Sequence, residues 1–278
     1  MIMRYPGGKR RMAKMIVSRL QQFHRPGVEF REPFFGAGAV GLLLIQSTPD
    51  LARAWINDAD PAIACLWRTT VREPEDLISR LERFTPGIWY FDFFRRRLRN
   101  IITEEDLTGT IESGVAVMKL YVHQTSFSGL GTRSGGPLGG RGQGDDGIIG
   151  SRYNVSTMTR NIERARGLLT SIEQHPDVCT CLDFEQVIRA PGDSFYYFDP
   201  PYYQAGPGLY QRYFTDEDHL RLAEILRYER RPWLLSYDAH PFVQELYRGW
   251  ATIEQVAVKY SLTGNVQSSE LLISNRRE

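Results

Sequence analysis

The four residues Asp199-Pro200-Pro201-Tyr202 are the part of this sequence best suited to chemistry. They follow residues 194–198, an apolar and aromatic run that is typical of a buried strand. Proline fixes the backbone angle φ and donates no backbone hydrogen bond, so the turn is stiff and its carbonyl oxygens stay free to accept. The turn suits a planar ring with an exocyclic amino group, because the carboxylate and a carbonyl can accept the two amino protons. The nitrogen lone pair would then remain available to attack an electrophile. The alternative interpretation is an ordinary turn, since Asp before Pro commonly starts one.

A second candidate site is the glycine-rich turn Phe35-Gly36-Ala37-Gly38, which follows a predicted strand and precedes an apolar helix start. Glycine there lets the backbone approach a ligand closely. The turn lacks the third glycine of the dinucleotide fingerprint and the lysine of the phosphate-binding loop, so no pyrophosphate is indicated. Asp58 follows the next predicted strand, about twenty residues on, which suits the ribose hydroxyls of a nucleoside; it could instead cap a helix before Pro61. S-Adenosylmethionine fits these features and also carries the electrophile that Asp199 requires.

Predicted strands alternate with predicted helices at both ends of the chain, which indicates a parallel α/β sheet. Ligands bind such sheets outside the carboxyl ends of the strands. The Gly36 turn, Asp58 and Asp199 each follow a predicted strand, so three strands can bring them to one crevice. The patterns predict helices at 14–23, 61–70, 111–125, 158–171 and 215–228, and strands at 29–34, 52–56, 178–182, 194–198, 233–236, 251–258 and 270–274.

The middle of the chain differs from its two ends and is predicted to be an insertion. Ten of the 22 residues from 129 to 150 are glycine. Glycine offers no side chain to a core and loses the most conformational freedom on ordering. We therefore expect a long mobile loop without a packed core.

Basic residues are concentrated in two zones, although the net charge of the 278-residue chain is only +1. Residues 1–31 contain eight Lys or Arg and one acid, and residues 119–167 contain seven against three. Two basic zones on a nearly neutral protein favour an anionic partner such as nucleic acid. The alternative is a solvated basic surface.

Composition also limits the class of protein. Hydrophobic residues make up 42% and charged residues 24%, which is ordinary for a globular chain. No run of 18 apolar residues predicts a membrane span, and the N-terminus lacks the apolar segment of a signal peptide. The three cysteines, Cys65, Cys179 and Cys181, favour a reducing compartment over a disulfide framework and do not have the spacing of a zinc site. We expect no membrane association and no metal.

The motifs and their order resemble those of the Dam-like DNA adenine methyltransferases, the class with an Asp-Pro-Pro-Tyr motif. The resemblance runs almost from end to end. It is carried by Tyr5-Pro6-Gly7-Gly8-Lys9, Glu32-Pro33-Phe34-Phe35-Gly36-Ala37-Gly38-Ala39-Val40, Asn57-Asp58-Ala59-Asp60-Pro61, Asp183-Phe184, Asp199-Pro200-Pro201-Tyr202, Tyr213-Phe214 with His219-Leu220, and Ser236-Tyr237-Asp238.

The resemblance implies a Rossmann-like S-adenosylmethionine-dependent methyltransferase sheet with an inserted, mostly helical target-recognition domain. Residues 1–64 and 177–278 would form the catalytic domain, and residues 65–176, with the glycine-rich loop at 129–150, would recognise DNA. The cofactor would be held by Tyr5, Lys9, Phe35, Gly36, Gly38, Asp58, Asp183, Phe184 and Asp199. The catalytic candidates are Asp199, Pro200, Pro201 and Tyr202, of which Asp199, Pro200 and Tyr202 would hold the target base. Arg152 and Asn154 belong to an element similar to one that contacts DNA in the family, and Arg133 of the same basic zone is a third candidate.

The predicted activity is site-specific transfer of a methyl group from S-adenosylmethionine to the 6-amino group of an adenine flipped out of double-stranded DNA, with S-adenosylhomocysteine as the product. The alternatives are a cytosine 4-amino methyltransferase, whose motif more often begins with serine, and an RNA or protein-amide methyltransferase. A catalytically silent DNA-binding protein is the alternative from a different class. We expect a monomer in the cytoplasm of a bacterial or phage-infected cell, with a cognate restriction nuclease as a further candidate partner.

Overall fold

A seven-stranded sheet organises the protein, whose computed structural model describes residues 2–3, 9–144, 148–204, 213–260 and 266–275. The strands lie in the order β3-β2-β1-β4-β5-β7-β6. Strands β1 to β5 run parallel, and β7 and β6 complete the sheet as antiparallel strands. The parallel order is that of a doubly wound α/β sheet, so the predicted fold class is confirmed. The strands are β1 (Glu29–Glu32), β2 (Arg53–Ile56), β3 (Glu173–Gln174), β4 (Ser194–Phe198), β5 (Trp233–Asp238), β6 (Thr252–Tyr260) and β7 (Val266–Ser274).

Helices cover both faces of the sheet. Strand β4 shows this directly, because Phe195 and Tyr197 join one buried cluster and Tyr196 and Phe198 join another. A strand buried on both faces is apolar at every position rather than at alternate ones, which explains its aromatic sequence. The described helices are α1 (Ala13–Leu20), α2 (Gly41–Ser47), α3 (Pro61–Arg72), α4 (Pro74–Glu82), α5 (Ile88–Arg99), α6 (Glu112–Thr125), α7 (Val155–Thr170), α8 (Phe184–Arg189), α9 (Asp216–Tyr228) and α10 (Pro241–Tyr247).

The insertion has a helical core of its own. Helix α6 packs against α3, α4 and α5, and buries Val115 and Tyr121 against Phe91 and Phe94. Helix α3 is continuous through residue 65, and strand β3 belongs to the sheet although it precedes residue 176. The expected boundaries, at 64/65 and at 176/177, stay predictions.

The strand predicted at 178–182 is wrong. The segment makes one isolated bridge, between Thr180 and Asn57, and β3 pairs with β2 in its place. The Asn57 side chain explains this, because its Oδ1 accepts hydrogen bonds from Thr180 Oγ1 at 2.7 Å and from Leu182 N at 2.8 Å. Backbone hydrogen bonds join the segment to Ile56 and Asp58 only at Thr180, and a side chain takes the hydrogen bond of Leu182 N that would extend the strand.

The expectation that the glycine-rich stretch lacks a packed core is also wrong. Leu138 and Ile149 are buried, and Ile149 packs into the core of the insertion. The carbonyl oxygen of Thr132 accepts hydrogen bonds from the guanidinium groups of Arg95 and Arg99 on helix α5. Two short helical turns, Gly131–Arg133 and Ile148–Gly150, also lie in this stretch. Side chains outside the loop therefore supply the packing that its glycines cannot.

All three cysteines are free thiols, and Cys65 and Cys179 are buried. Among the described residues, no helix is both long and apolar enough to cross a membrane.

Candidate active site

A cavity of about 350 Å³ opens where strands β2, β1 and β4 end side by side. The glycine-rich turn follows β1, Asp58 follows β2, and Asp199 follows β4. The cavity is lined by residues that include Lys9, Glu32, Phe35, Gly36, Asp58, Asp183, Phe184, Asp199 and Pro201. The structure thus brings together the three motifs that the sequence analysis singled out.

Backbone geometry explains the glycines of the turn. Gly36 and Gly38 have φ angles of 49° and 67°, a region that favours glycine. A Cβ atom at Gly38 would also lie 2.9 Å from a ring carbon of Phe35. The carbonyl oxygen of Gly36 accepts a hydrogen bond of 2.8 Å from the indole nitrogen of Trp67, which holds the turn against helix α3.

Asp58 is held in place by backbone N–H groups. Its Oδ2 accepts a 2.7 Å hydrogen bond from Gly36 N, and its Oδ1 accepts one of 2.9 Å from Asp60 N. Burial and the nearby Asp60 carboxylate raise the pKa of Asp58 to about 6. Asp58 is therefore mainly ionised at neutral pH and can accept hydrogen bonds from a ligand.

Asp199 lies at the carboxyl end of β4 with 22% of its side chain exposed. Its Oδ1 is 2.7 Å from Lys9 Nζ and accepts a hydrogen bond of 3.1 Å from Ser236 Oγ on β5. Burial raises the pKa of Asp199, and the Lys9 ammonium counteracts that rise. Ser236 is itself hydrogen-bonded to Tyr197, so the carboxylate is oriented from two neighbouring strands.

The hydroxyl of Tyr202 is fixed by two buried charged groups. It accepts a hydrogen bond of 2.7 Å from Lys9 Nζ and donates one of 2.9 Å to Glu270 Oε1 on strand β7. Lys9 Nζ also lies 3.4 Å from Glu270 Oε2, and the two side chains are 1% and 3% exposed. Lys9 therefore contacts the carboxylate and the aromatic ring of the Asp-Pro-Pro-Tyr turn at the same time.

The other end of the cavity is aromatic. The rings of Phe34, Phe184 and Phe214 lie with their centres 5.3 to 5.7 Å apart. Asp183 caps helix α8 and forms an ion pair of 2.9 Å with Arg221 of helix α9, whose guanidinium lies 4.3 Å from the Phe184 ring. This end offers apolar faces with one polar edge, which suits a planar heterocycle.

A second cleft, of about 670 Å³, lies between helices α1, α2 and α7. None of its described lining residues is acidic. It joins the two basic zones of the sequence, because Arg10 and Lys14 line it together with Arg152, Asn154 and Arg164. Asn154 also caps helix α7, since its Oδ1 accepts a hydrogen bond of 2.8 Å from Thr157 N.

Arg133 lies apart from that cleft, with its guanidinium 5.5 Å from the ring centre of Tyr213 at the edge of the first cavity. The three DNA-binding candidates therefore fall into two groups. Arg152 and Asn154 line the basic cleft, and Arg133 is at the mouth of the candidate active site.

Comparison with known proteins decides the family. A model of the D12 class N6 adenine-specific DNA methyltransferases matches residues 5–262. The chain belongs to this family. The type II methyltransferase M.MjaIII of Methanocaldococcus jannaschii is 24% identical over 276 residues, which cover 92% of this chain and 90% of that protein. Among solved structures, the rRNA methyltransferase aviRa of Streptomyces viridochromogenes aligns with 98% of this chain and 86% of its own, at 12% identity and a TM-score of 0.43.

The methyltransferase is thus an adenine-specific DNA-modifying enzyme, and the predicted resemblance to Dam-like enzymes is confirmed. The family assignment sets aside the cytosine enzyme, the RNA or protein-amide enzyme and the silent DNA-binding protein as interpretations. No group of three or more His, Cys, Asp or Glu side chains in the described ranges could hold a metal ion.

Most of the methyltransferase's candidate cofactor residues lie in or beside the cavity, but Tyr5 falls outside the described residues. The sequence analysis gave no role to the buried residues Glu32, Ser236, Glu270 and Lys119. The sequence could have indicated a buried charged contact for Glu270, because it is the first residue of the apolar strand predicted at 270–274. Burial of an acid there is costly without a partner. Lys119 carries no comparable signal, since its partner is 59 residues away in the sequence.

Proposed function

We propose that this methyltransferase transfers the methyl group of S-adenosylmethionine to the 6-amino group of an adenine turned out of double-stranded DNA. The observation that carries the proposal is the shared cavity at the ends of β1, β2 and β4, where Gly36, Asp58 and Asp199 meet. A base inside a duplex is hidden from such a cavity, so the target has to leave the helix first.

The cavity fits the proposed cofactor in three respects. Its volume suits a ligand of nucleoside size, and Asp58 supplies an ionised acceptor for ribose hydroxyls. Its aromatic end, which includes Phe184, suits the adenine ring. Near Asp199, burial and the Asp199 carboxylate raise the pKa of Glu32, which lines the cavity, and a cationic group of the ligand would favour its charged form. When bound, S-adenosylmethionine would supply an electrophilic methyl group.

In this proposal Asp58 holds the ribose, while Phe35, Gly36, Gly38 and Lys9 border the methionine part of the cofactor. Asp183 and Phe184 border its adenine. Tyr5 would complete the set. Lys9, Phe35, Gly36, Asp58, Asp183 and Phe184 line the cavity, whereas Gly38 lines the neighbouring basic cleft.

The target adenine would lie on the Asp-Pro-Pro-Tyr turn. Asp199 would accept a hydrogen bond from the 6-amino group, and the stiff backbone at Pro200 and Pro201 would present a carbonyl oxygen for the second proton. The Tyr202 ring would cover the face of the base, in an orientation fixed by Lys9 and Glu270. Catalysis by these residues consists of positioning and electrostatic stabilisation.

The second cleft, which is lined by Arg10, Lys14, Arg152 and Arg164, is proposed to bind the phosphate backbone of DNA. Phosphate groups are bound mainly by Lys and Arg, and these contacts fix the register of the protein on the duplex without selecting a sequence. Arg10, Lys14, Arg152 and Arg164 provide such contacts from both the N-terminal helix and the insertion. Arg133, beside Tyr213, would meet the DNA close to the flipped base.

Removing three charges from this cleft should weaken DNA binding equally for all sequences. We expect the variant Arg10→Gln/Lys14→Gln/Arg164→Gln to lower the slope of log affinity against log salt by about 3, since each phosphate contact contributes about 0.9. Affinity for S-adenosylmethionine should not change. Fluorescence anisotropy with duplex DNA at several salt concentrations measures both the slope and the affinity.

The matched control removes three exposed arginines that line neither cavity, Arg189, Arg227 and Arg248. That variant should keep the salt slope of the unmodified protein. Equal slopes for the two triple variants would show that the cleft does not carry the backbone.

Transfer of label from methyl-labelled S-adenosylmethionine to unmethylated DNA, followed by digestion to nucleosides, tests the proposed function. Label in 6-methyladenosine is the expected result. Duplex DNA should be a better substrate than single strands if the recognition of a duplex is correct. Binding of the cofactor without any label in DNA would contradict the proposal.

A cognate restriction nuclease, a monomeric state and a cytoplasmic location stay predictions for this chain. The name of its Methanocaldococcus relative, a type II methyltransferase, makes the nuclease worth a direct search among neighbouring genes.

A further inference from the structure

A buried ion pair links the insertion to the cofactor end of the sheet. Lys119 Nζ on helix α6 lies 2.6 Å from Asp60 Oδ2, and the two side chains are 3% and 9% exposed. The other oxygen of Asp60 accepts a hydrogen bond of 2.9 Å from Ala62 N and so caps helix α3. Because both groups are buried, their attraction is only weakly screened by solvent or salt.

Asp60 lies next to the proposed ribose-binding carboxylate. Asp60 N donates to Asp58 Oδ1 at 2.9 Å, so the two carboxylates share one short stretch of backbone. Burial raises the pKa of Asp58, and the charge of the Asp60 carboxylate raises it further. Without a nearby cation, protonation of Asp58 or Asp60 would relieve the repulsion between the two carboxylates.

We propose that Lys119 is a positioning residue for the cofactor: by neutralising Asp60, it keeps Asp58 charged and able to accept the ribose hydroxyls. The inference rests on the proposed role of Asp58 in cofactor binding. It gives the insertion a part in the cofactor site in addition to its part in DNA recognition.

The other titratable groups around the pair do not replace Lys119. Glu32 on strand β1 adds negative charge whenever it is ionised, and burial raises the pKa of the Cys179 thiol, which leaves that group neutral. His123, one turn along α6 from Lys119, acts on Asp60 in the same direction as Lys119 but more weakly. Although burial opposes it, the Lys119 ammonium holds the pKa of Asp60 below its usual value, and it also lowers the pKa of Asp58.

The test is the pH dependence of cofactor binding in four proteins: the unmodified chain, Lys119→Met, Asp60→Asn and the double variant. In the unmodified chain, the dissociation constant for S-adenosylmethionine should rise as pH falls through about 6, where Asp58 takes up its proton. Lys119→Met should move this midpoint upward by about one to two pH units and so weaken binding at pH 7 by about two- to tenfold. Asp60→Asn should move the midpoint downward, and the double variant should return it to the unmodified value or below. Titration calorimetry measures the binding.

A thermal melt of each protein separates the positioning role from a structural one. Lys119→Met should lower the melting temperature, because it leaves a buried carboxylate without its partner, and Asp60→Asn in the same chain should restore it. If the melting temperatures change in this way while the pH midpoint stays the same in all four proteins, the pair is structural and the proposal is wrong. If Lys119→Met does not fold, the comparison of Asp60→Asn with the double variant decides the question, because these two proteins differ only at Lys119 and their midpoints should differ if its charge acts on Asp58.

The reference for the proposed function itself is Asp58→Asn, which should bind the cofactor weakly with no midpoint near pH 6. Failure of the unmodified chain to bind S-adenosylmethionine would contradict the proposed function. Normal binding with a midpoint that Lys119→Met does not move would contradict only the role of Lys119.

Discussion

Replacing Asp199 with alanine should lower the rate of methyl transfer by at least about 10³-fold, since hydrogen bonding and electrostatic groups at a reacting atom contribute on this scale. The carboxylate is oriented by Lys9 and Ser236 and lines the cavity. The fold should survive, because Lys9 keeps its contacts with Glu270 and Tyr202. Single-turnover kinetics with saturating cofactor and DNA measure the chemical step directly.

The matched control is Asp193→Ala. Asp193 precedes the same strand, β4, at the end opposite Asp199, and its exposed side chain pairs with Arg25. An exposed ion pair contributes less than about 1 kcal/mol, so this variant should keep its activity. DNA affinity should stay within about threefold of the unmodified value in both variants, because neither residue contacts the proposed phosphate cleft. Turnover by Asp199→Ala within about tenfold of the unmodified rate would mean that Asp199 does not take part in methyl transfer.

The parts of the site that the sequence predicted are those in which local pattern determines structure. Strand β4 could be recognised because it is buried on both faces. Four of its five residues are therefore aromatic, and Ser194 is the exception. The turn after it is stiff because of its prolines, whatever the rest of the chain does. Gly36 and Gly38 could likewise be predicted to form a turn, because both have the positive φ angles that favour glycine. The main features of the cavity could therefore be predicted without coordinates.

The parts that the sequence did not predict depend on partners far away in the chain. Glu270 meets Tyr202 across 68 residues, and Lys119 meets Asp60 across 59. Nothing in the local sequence indicates which buried charges will pair, because pairing follows from the packing of α6 on α3 and of β7 on β5. The two-residue strand β3 is too short to have a recognisable alternation, and the segment predicted as a strand at 178–182 makes only an isolated bridge at Thr180.

The pairing of these buried charges leads to the second large expected effect. Replacing Lys9 with methionine should lower the free energy of unfolding by about 3–5 kcal/mol, the usual result of removing one partner from a buried ion pair. The loss is expected because Asp199 and Glu270, at 2.7 and 3.4 Å from the ammonium, would face each other without it. Urea unfolding measures the change.

The pH dependence of that loss identifies its cause. The pKa of Asp199 is already higher in the folded protein than its usual value, and removal of Lys9 should raise it further. A carboxyl group with a raised pKa binds its proton more tightly in the folded state, so its penalty is full above the folded pKa and disappears as pH falls. The loss should therefore be largest at about pH 8 and smaller at about pH 5.

Two variants control this interpretation. Lys14→Met makes the same substitution at an exposed position of helix α1, where surface changes cost less than about 0.5 kcal/mol. Glu270→Gln in the Lys9→Met protein removes one of the two facing carboxylates, so it should recover part of the loss and weaken its pH dependence. Equal losses for Lys9→Met and Lys14→Met, or a loss that does not change with pH, would mean that the ammonium does not hold these carboxylates together. If the loss follows pH as expected, one lysine stabilises both Asp199 and Tyr202, the two side chains proposed to contact the target base.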